Sequence, residues 1–99
     1  MNSNFRTLNL AEAFYKNAQN EKFQKNCLQN QFDRALLSIV LNLNEGSAKP
    51  TAKERRKFYY IALGSFREVQ TLLRITDKKL LLKDSDSLGA HLYCLCKRT

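Results

Sequence analysis

The chain has no tryptophan, one proline, one histidine, one methionine and only three glycines in 99 residues. Each shortage excludes something. So few glycines and prolines leave few places for tight turns, which disfavours many short strands and favours long helices. One histidine, His91, with no Gly-rich phosphate loop and no suggestive Ser, His and Asp set, leaves catalysis little to stand on. The three cysteines, Cys27, Cys94 and Cys96, are an odd number without framework spacing. That argues against a secreted disulfide scaffold and makes a reducing cytoplasm the expected setting. The opening stretch MNSNFRTLNLAEAF lacks the continuous apolar core of a signal peptide. No run approaches the ~18 apolar residues of a membrane span. Acidic residues are also scarce: nine against 17 Lys and Arg, a formal net charge of +8. Such a surplus suits a polyanionic partner, whether nucleic acid, an anionic membrane surface or an acidic protein. An incidentally basic soluble protein is the plain alternative.

What is present is one domain's worth of chain, residues 1–99, with 43% hydrophobic residues, enough for a single small core. The chain is organised around a helical hairpin from Arg34 to Ile75. Its first arm is apolar and closes on Asn44-Glu45-Gly46, where Gly46 suits the left-handed position just past a helix end. Ser47 to Pro50 carry the turn. Thr51 opens the second arm with Glu54 three residues on, a capping-box spacing. Residues 1–8 read as a loose arm, and Asn9 with Glu12 can cap a first helix whose face is Leu10, Ala11, Phe14, Tyr15 and Ala18. Helices are expected at about 9–20, 25–45, 52–77 and 84–97, with Phe23 tucked inward from the first connection. Leu80 to Leu82 either extend the third helix or pack as a loop, and Asp84 or Ser85 starts the fourth. Short connections between four helices give an all-α, up-and-down antiparallel four-helix bundle.

The seam of the second helix is Leu28, Phe32, Ala35, Ile39 and Leu43, widened by Leu36, Leu37, Val40 and Leu41. That apolar arc spans roughly 200° at 100° per residue, more than one bundle needs. Leu37, Val40 and Leu41 are therefore expected at an oligomer interface. In the third helix the expected inner seam is Phe58, Ile61, Ala62, Ser65, Val69, Leu72 and Thr76, with Phe66 and Leu73 beside it. Gly64 in mid-helix should cost about 1 kcal/mol relative to Ala, which a close helix–helix approach would explain.

Four short stretches stand in order and close spacing: Gln31-x-x-Arg34-Ala35, Ser38-Ile39, Asn42-x-x-Glu45-Gly46-Ser47 and Ile61-Ala62-x-Gly64-Ser65-x-x-Glu68. With these the chain resembles the bacterial four-helix-bundle proteins encoded in intervening sequences of large-subunit ribosomal RNA genes. That family in turn resembles the accessory variability protein of diversity-generating retroelements. Gln24 stands where the family would place a proline opening the second helix. The resemblance implies a bundle that assembles into a ring-like homo-oligomer, a pentamer where related bundles do so, with a reverse transcriptase or other protein as a further partner. No catalytic residue and no cofactor is expected from the residues themselves. The resemblance also favours a structural role for the polar stripe Arg34, Ser38, Asn42 and Glu45, answered by Ser65 and Glu68 from the third helix. Such a stripe can be a hydrogen-bonded network that sets helix register; simple solvation of that face is the alternative.

Metal binding has a weak basis. His91 and Cys94 share a helix face, but Cys96 points elsewhere and Cys27 would have to arrive from another helix, without paired C-x2–4-C ligands. No metal is expected. Glu45 and Glu68 as a catalytic pair are outweighed by their positions in a last helical turn and beside Arg67.

The basic cluster is the strongest functional lead. Lys49, Lys53, Arg55, Arg56 and Lys57 crowd the turn and the start of the third helix against one acid, Glu54. Along that helix Lys53, Arg56, Tyr60, Arg67 and Arg74 fall within about 60° of one line. Forked guanidinium donors suit phosphates, and a tyrosine among them can stack on a base. An ordinary solvated face is the competing reading. No groove-reading motif is present, so sequence-specific recognition is not expected. The expected function is thus a non-enzymatic, basic, homo-oligomeric bundle that binds RNA or DNA. The alternative is a protein-interaction scaffold with incidental charge, and the alternative basic site is Lys78, Lys79 and Lys83.

Overall fold

The computed structural model describes residues 3–99. Four long helices, α1 (Ser3–Ala18), α2 (Asn26–Ser47), α3 (Ala52–Ile75) and α5 (Asp86–Arg98), form an all-α bundle, with a short α4 (Lys79–Asp84) set before the last. No strand occurs among the described residues. Neighbours run antiparallel. Ser65 lies against Ser38 across the α2–α3 pair. Gln70 reaches Ser85 and Arg56 reaches Thr99, which orders α5 against α3. Asn17 meets Asp84 and Glu21 meets Lys78, so the end of α1 sits where α3 ends and α5 begins.

The core is built from Ala11, Phe14 and Ala18 of α1, Phe32, Leu36, Ile39 and Leu43 of α2, and Leu88, Leu92 and Leu95 of α5. The seam of α2 lies as its periodicity indicates, with Leu28 half-buried at its edge. The α3 seam does so only in part: Ala62 and Val69 are buried as expected, with Phe66 and Leu73 beside them. Its buried residues are Tyr59, Ala62, Leu63, Phe66, Val69 and Leu73, while Ile61 stays 43% exposed and Phe58, Ser65, Leu72 and Thr76 are half-buried. The helix is turned by roughly 80° from the expected face. Apolar residues cover most of its circumference, so periodicity alone leaves the rotation free. Contact with α5 as well as α2 draws Tyr59 and Leu63 inward.

Other boundaries shift for identifiable reasons. Helix α1 begins at Ser3, not Asn9, and Asn9 is an exposed interior residue rather than a cap. Buried Thr7 and half-buried Leu8 extend the inward face, and that packing carries the extra turns. The loose arm is thereby corrected over residues 3–8; residues 1 and 2 lie outside the described residues. Gly46 is not a left-handed terminator: no glycine has positive φ, and α2 continues through it to Ser47. Its lack of a side chain serves packing. A Cβ there would lie 2.8 Å from Tyr59 Cε1 and 2.9 Å from Phe58 Cβ. Gly64 is the reverse case. A Cβ on it would meet nothing within 4 Å, so no close helix approach inside the chain explains it.

Thr51 caps α3, its hydroxyl oxygen accepting from Glu54 N–H at 3.2 Å. The same hydroxyl lies 3.2 Å from the Glu54 carboxylate and donates to it. Helix α3 stops at Ile75, two residues early, in a Schellman arrangement. Lys78 N–H bonds Leu73 C=O at 2.9 Å and Asp77 N–H bonds Arg74 C=O at 3.2 Å, around Asp77 at φ 57°. Leu80 to Leu82 form neither a loop nor an extension of α3 but α4, which buries Leu81 and leaves Leu80 85% exposed. Ser85 is not a side-chain cap. Buried between α4 and α5, it donates to Leu82 C=O at 2.6 Å and accepts from Gln70 at 3.2 Å.

Phe23 tucks inward, with its ring centroid 4.7 Å from that of Phe32. Lys78 closes over it: Nζ is 4.9 Å from the Phe23 ring centroid and 3.1 Å from the Glu21 carboxylate. The Gln29 amide joins this clasp, accepting from Phe23 N–H and donating to Glu21 C=O. Among the described residues no helix is long and apolar enough to cross a membrane.

Candidate nucleic-acid interface

The antiparallel arrangement brings the start of α3, the end of α2 and the end of α5 to one pole of the bundle. Arg56 donates to Thr99 C=O at 2.7 Å and fixes that junction. Lys49, Lys53, Arg55, Arg56 and Lys57 therefore share a pole with Lys97 and Arg98. Arg6 of α1 joins them across the cleft it lines with Arg98. The acids along the same ends are Glu45 and Glu54. At the opposite pole Lys22, Lys25, Lys78, Lys79 and Lys83 alternate with Glu21, Asp77, Asp84 and Asp86. The positive field thus concentrates at the first pole.

Not every cation of the expected cluster is free there. Lys49 is half-buried, 3.1 Å from Glu45 and 5.2 Å over the Phe58 ring. Arg55 donates to Lys49 C=O at 3.1 Å and so braces the turn. Lys53 and Lys57 are exposed. Along α3, Arg56, Tyr60, Arg67 and Arg74 are all exposed, Tyr60 by 50%. Arg74 belongs to the stripe but not to the pole: it lies roughly 27 Å along the axis from Arg56, and it donates to Thr71 Oγ1 at 3.3 Å.

Beside the stripe runs a shallow α3–α5 groove. Leu63, Phe66, Arg67 and Gln70 line one wall, and Asp86, Gly89, Ala90 and Tyr93 the other. Gly89 lets the helices close, since a Cβ there would lie 2.8 Å from the Phe66 ring. Tyr93 is 49% exposed, and Lys97 Nζ stands 5.2 Å from its ring centroid. Tyr93, Lys97, Arg98 and Arg6 are absent from the basic cluster read in the sequence. A helix C-terminus alone accounts for Lys97 and Arg98, and only the antiparallel register of α5 on α3 sets them beside Arg56.

The polar stripe is smaller than expected. Ser65 donates to Ser38 Oγ at 2.8 Å, and the Asn42 amide donates to Ser38 Oγ and Ser38 C=O at 3.0 and 2.9 Å. These three half-buried residues bridge α2 and α3. Arg34 and Glu68 are exposed outside that network, and Glu45 pairs with Lys49. The outer face of the hairpin also carries Leu41, 55% exposed, together with Leu37 and Ile61. Val40 instead packs against the core. Gln31, Gly64, Glu68 and Leu72 line a shallow cleft on this side.

The motif residues thus lie in register on the α2–α3 hairpin of an all-α bundle, Ala35, Ile39, Gly46 and Ala62 inside it and the others half-buried or exposed, and the family model of the 23S rRNA-intervening sequence proteins matches residues 5–97. The chain belongs to the 23S rRNA-intervening sequence protein family. The match takes in α1 through nearly all of α5, so the bundle as a whole is the family unit. No curated protein and no solved structure matches the chain. Within this family member, the basic pole and the hairpin face are separate surfaces: the first carries charge, the second carries most of the motif.

Proposed function

We propose that this family member is a non-enzymatic, basic helical bundle that binds RNA or DNA through the α3 stripe and the pole at its start. One observation carries the reading: Lys53, Arg56 and Lys57 gather with Lys97 and Arg98 where α3 begins and α5 ends, and Tyr60 follows them. Forked donors there suit phosphates, and the exposed tyrosine ring offers a stacking platform. Binding reads backbone rather than sequence, because the sequence carries no recognised groove-reading motif. The protein acts as a homo-oligomer, with the outer hairpin face around Leu37, Leu41 and Ile61 meeting a second copy. A ring of such subunits would multiply the basic pole. We take the cytoplasm as its setting, on the strength of three free thiols.

The test is fluorescence anisotropy with single- and double-stranded RNA and DNA across a salt series. Affinity should fall with salt, with a log–log slope for duplex DNA approaching about −0.9 per phosphate neutralised. Arg56→Glu with Arg67→Glu should weaken binding to all sequences alike while helicity is kept. No binding to any of the four ligands at low salt would sink this reading.

The exposed apolar side chains of the hairpin face favour a second reading, a protein-interaction scaffold whose partner, a reverse transcriptase among the candidates, covers Leu41 and Ile61. In that case Leu41→Lys abolishes partner capture, and the charge reversals on α3 leave it intact.

A further inference from the structure

A cleft of about 300 Å3 lies between α1 and α5, away from the α3 stripe. Arg6 and Thr7 line it from α1, and His91, Cys94 and Arg98 from α5. On α5 these positions fall at i, i+3 and i+7, one stripe of the helix facing α1. Among the described residues no acidic side chain lines the cleft. His91 Nδ1 lies 2.8 Å from Ser87 C=O, an atom that only accepts. Nδ1 therefore carries a hydrogen; Nε2, the remaining polar atom of the ring, accepts in the neutral form and donates to a phosphate oxygen only in the protonated form. Two guanidinium groups and an oriented imidazole thus converge on one concave site.

From this geometry we infer a discrete phosphate site that takes a phosphomonoester group. A monoester presents three terminal oxygens to donors arriving from two helices, and guanidinium forks match that geometry in pairs. A backbone phosphodiester has chain entering and leaving it and fits an open groove better than a cleft between two helices. The same chemistry has two sources, free inorganic phosphate and the 5′-phosphate at the end of a nucleic-acid strand. The site takes Arg6 and Arg98 from the edge of the basic pole but none of the α3 residues Lys53, Arg56, Tyr60, Arg67 and Arg74.

Cys94 supplies the readout. It lines the cleft and is exposed, whereas Cys27 is exposed at the start of α2, at the other pole. The full-length protein is treated with neutral iodoacetamide, and the rate at each cysteine is followed by peptide mass spectrometry. Inorganic phosphate should slow modification of Cys94 several-fold and leave Cys27 unchanged, with chloride at equal ionic strength as the control. Arg6→Gln should remove the protection; Arg6 is an exposed residue of α1, and circular dichroism checks that the bundle is kept. An oligonucleotide with a 5′-phosphate that protects better than its 5′-hydroxyl counterpart assigns the strand end as the source. Protection by inorganic phosphate alone assigns the free ion. Equal protection by both oligonucleotides without any from inorganic phosphate overturns the site, because chain lying across the cleft would then suffice. So does the absence of protection by every probe, or equal slowing at Cys27. Lys53→Glu with Arg67→Glu, which leaves the Arg56–Thr99 contact in place, should leave protection by inorganic phosphate as it is, which separates this result from the fate of the nucleic-acid reading.

Discussion

The same substitution at two glycines of the same hairpin should move stability in opposite directions. In a helix, Gly→Ala gains about 1 kcal/mol, because the unfolded chain loses freedom that glycine otherwise keeps. Gly64→Ala should realise that gain, since the new methyl meets nothing within 4 Å. Gly46→Ala should not. Its Cβ would lie 2.8 Å from Tyr59 Cε1, 3.0 Å from Tyr59 Cδ1 and 2.9 Å from Phe58 Cβ. The Phe58 Cβ cannot swing aside without moving the α3 backbone, and Tyr59 is fully buried. Overpacking of this kind costs about 1–3 kcal/mol, which cancels the propensity gain at the low end and leaves a net loss of about 2 kcal/mol at the high end. The two variants should thus differ by roughly 1–3 kcal/mol, and each kcal/mol moves Tm by about 4–8 °C in a domain of this size. Thermal unfolding followed by far-ultraviolet circular dichroism reads this directly, with urea midpoints as a second measure. A Gly46→Ala protein as stable as the Gly64→Ala protein would refute the packing argument. The pair also probes assembly. If the hairpin face meets a second copy, the gain at Gly64 appears at low protein concentration and fades or reverses at high concentration.

Further outcomes follow from other contacts. The buried Tyr59 hydroxyl finds no hydrogen-bond partner among the described residues, so Tyr59→Phe should raise stability by about 1 kcal/mol in urea unfolding. Burial pushes the Tyr59 phenol above its ordinary value, with nearby Arg55 opposing. The folded protein therefore keeps this proton where the unfolded chain has lost it, and stability should fall as pH rises past about 10, less steeply in Tyr59→Phe. Lys78→Ala removes both the ion pair to Glu21 and the contact over Phe23; a loss of about 1 kcal/mol is expected, and an unchanged urea midpoint would remove the clasp from the account. Leu37→Lys and Leu41→Lys change exposed residues, so circular dichroism should show an intact bundle. Light scattering at micromolar concentration should read several chain masses for the parent and a smaller particle for each variant, and a monomeric parent would remove the oligomer from the proposal.

Much of the bundle is legible in the residue order because helices announce themselves locally. The α2 seam of Phe32, Ala35, Ile39 and Leu43 recurs with the helical period, and Thr51 with Glu54 marks the start of α3 by a bond between neighbours in the chain. Helix α1 is read too short because its first turns are held by packing of Thr7 and Leu8, which the spacing of Asn9 and Glu12 does not announce. Gly46 is misread because a glycine near a helix end signals equally a left-handed turn and a site of close approach. The candidate site is legible only in part. A stripe on one helix can be drawn from spacing, and Lys53, Arg56, Tyr60, Arg67 and Arg74 do share an exposed line. Which of them stand together at a pole, and which other helices contribute, depends on long-range register.

The sequence by itself determined the helical class, the hairpin, the excess of positive charge and the polar motif, all of which rest on spacing within a few residues. The tertiary structure alone decided the rotation of α3, the burial of Tyr59 and Leu63, and the meeting of Lys97 and Arg98 with Arg56. It alone formed the cleft that sets Arg6 opposite His91 and Cys94. The physical reason is that a helix with apolar residues around most of its surface has several near-equivalent ways to pack. The choice among them is made by neighbours distant in the chain, through close contacts such as Gly46 on Tyr59 and Gly89 on Phe66, whose partners no local pattern names.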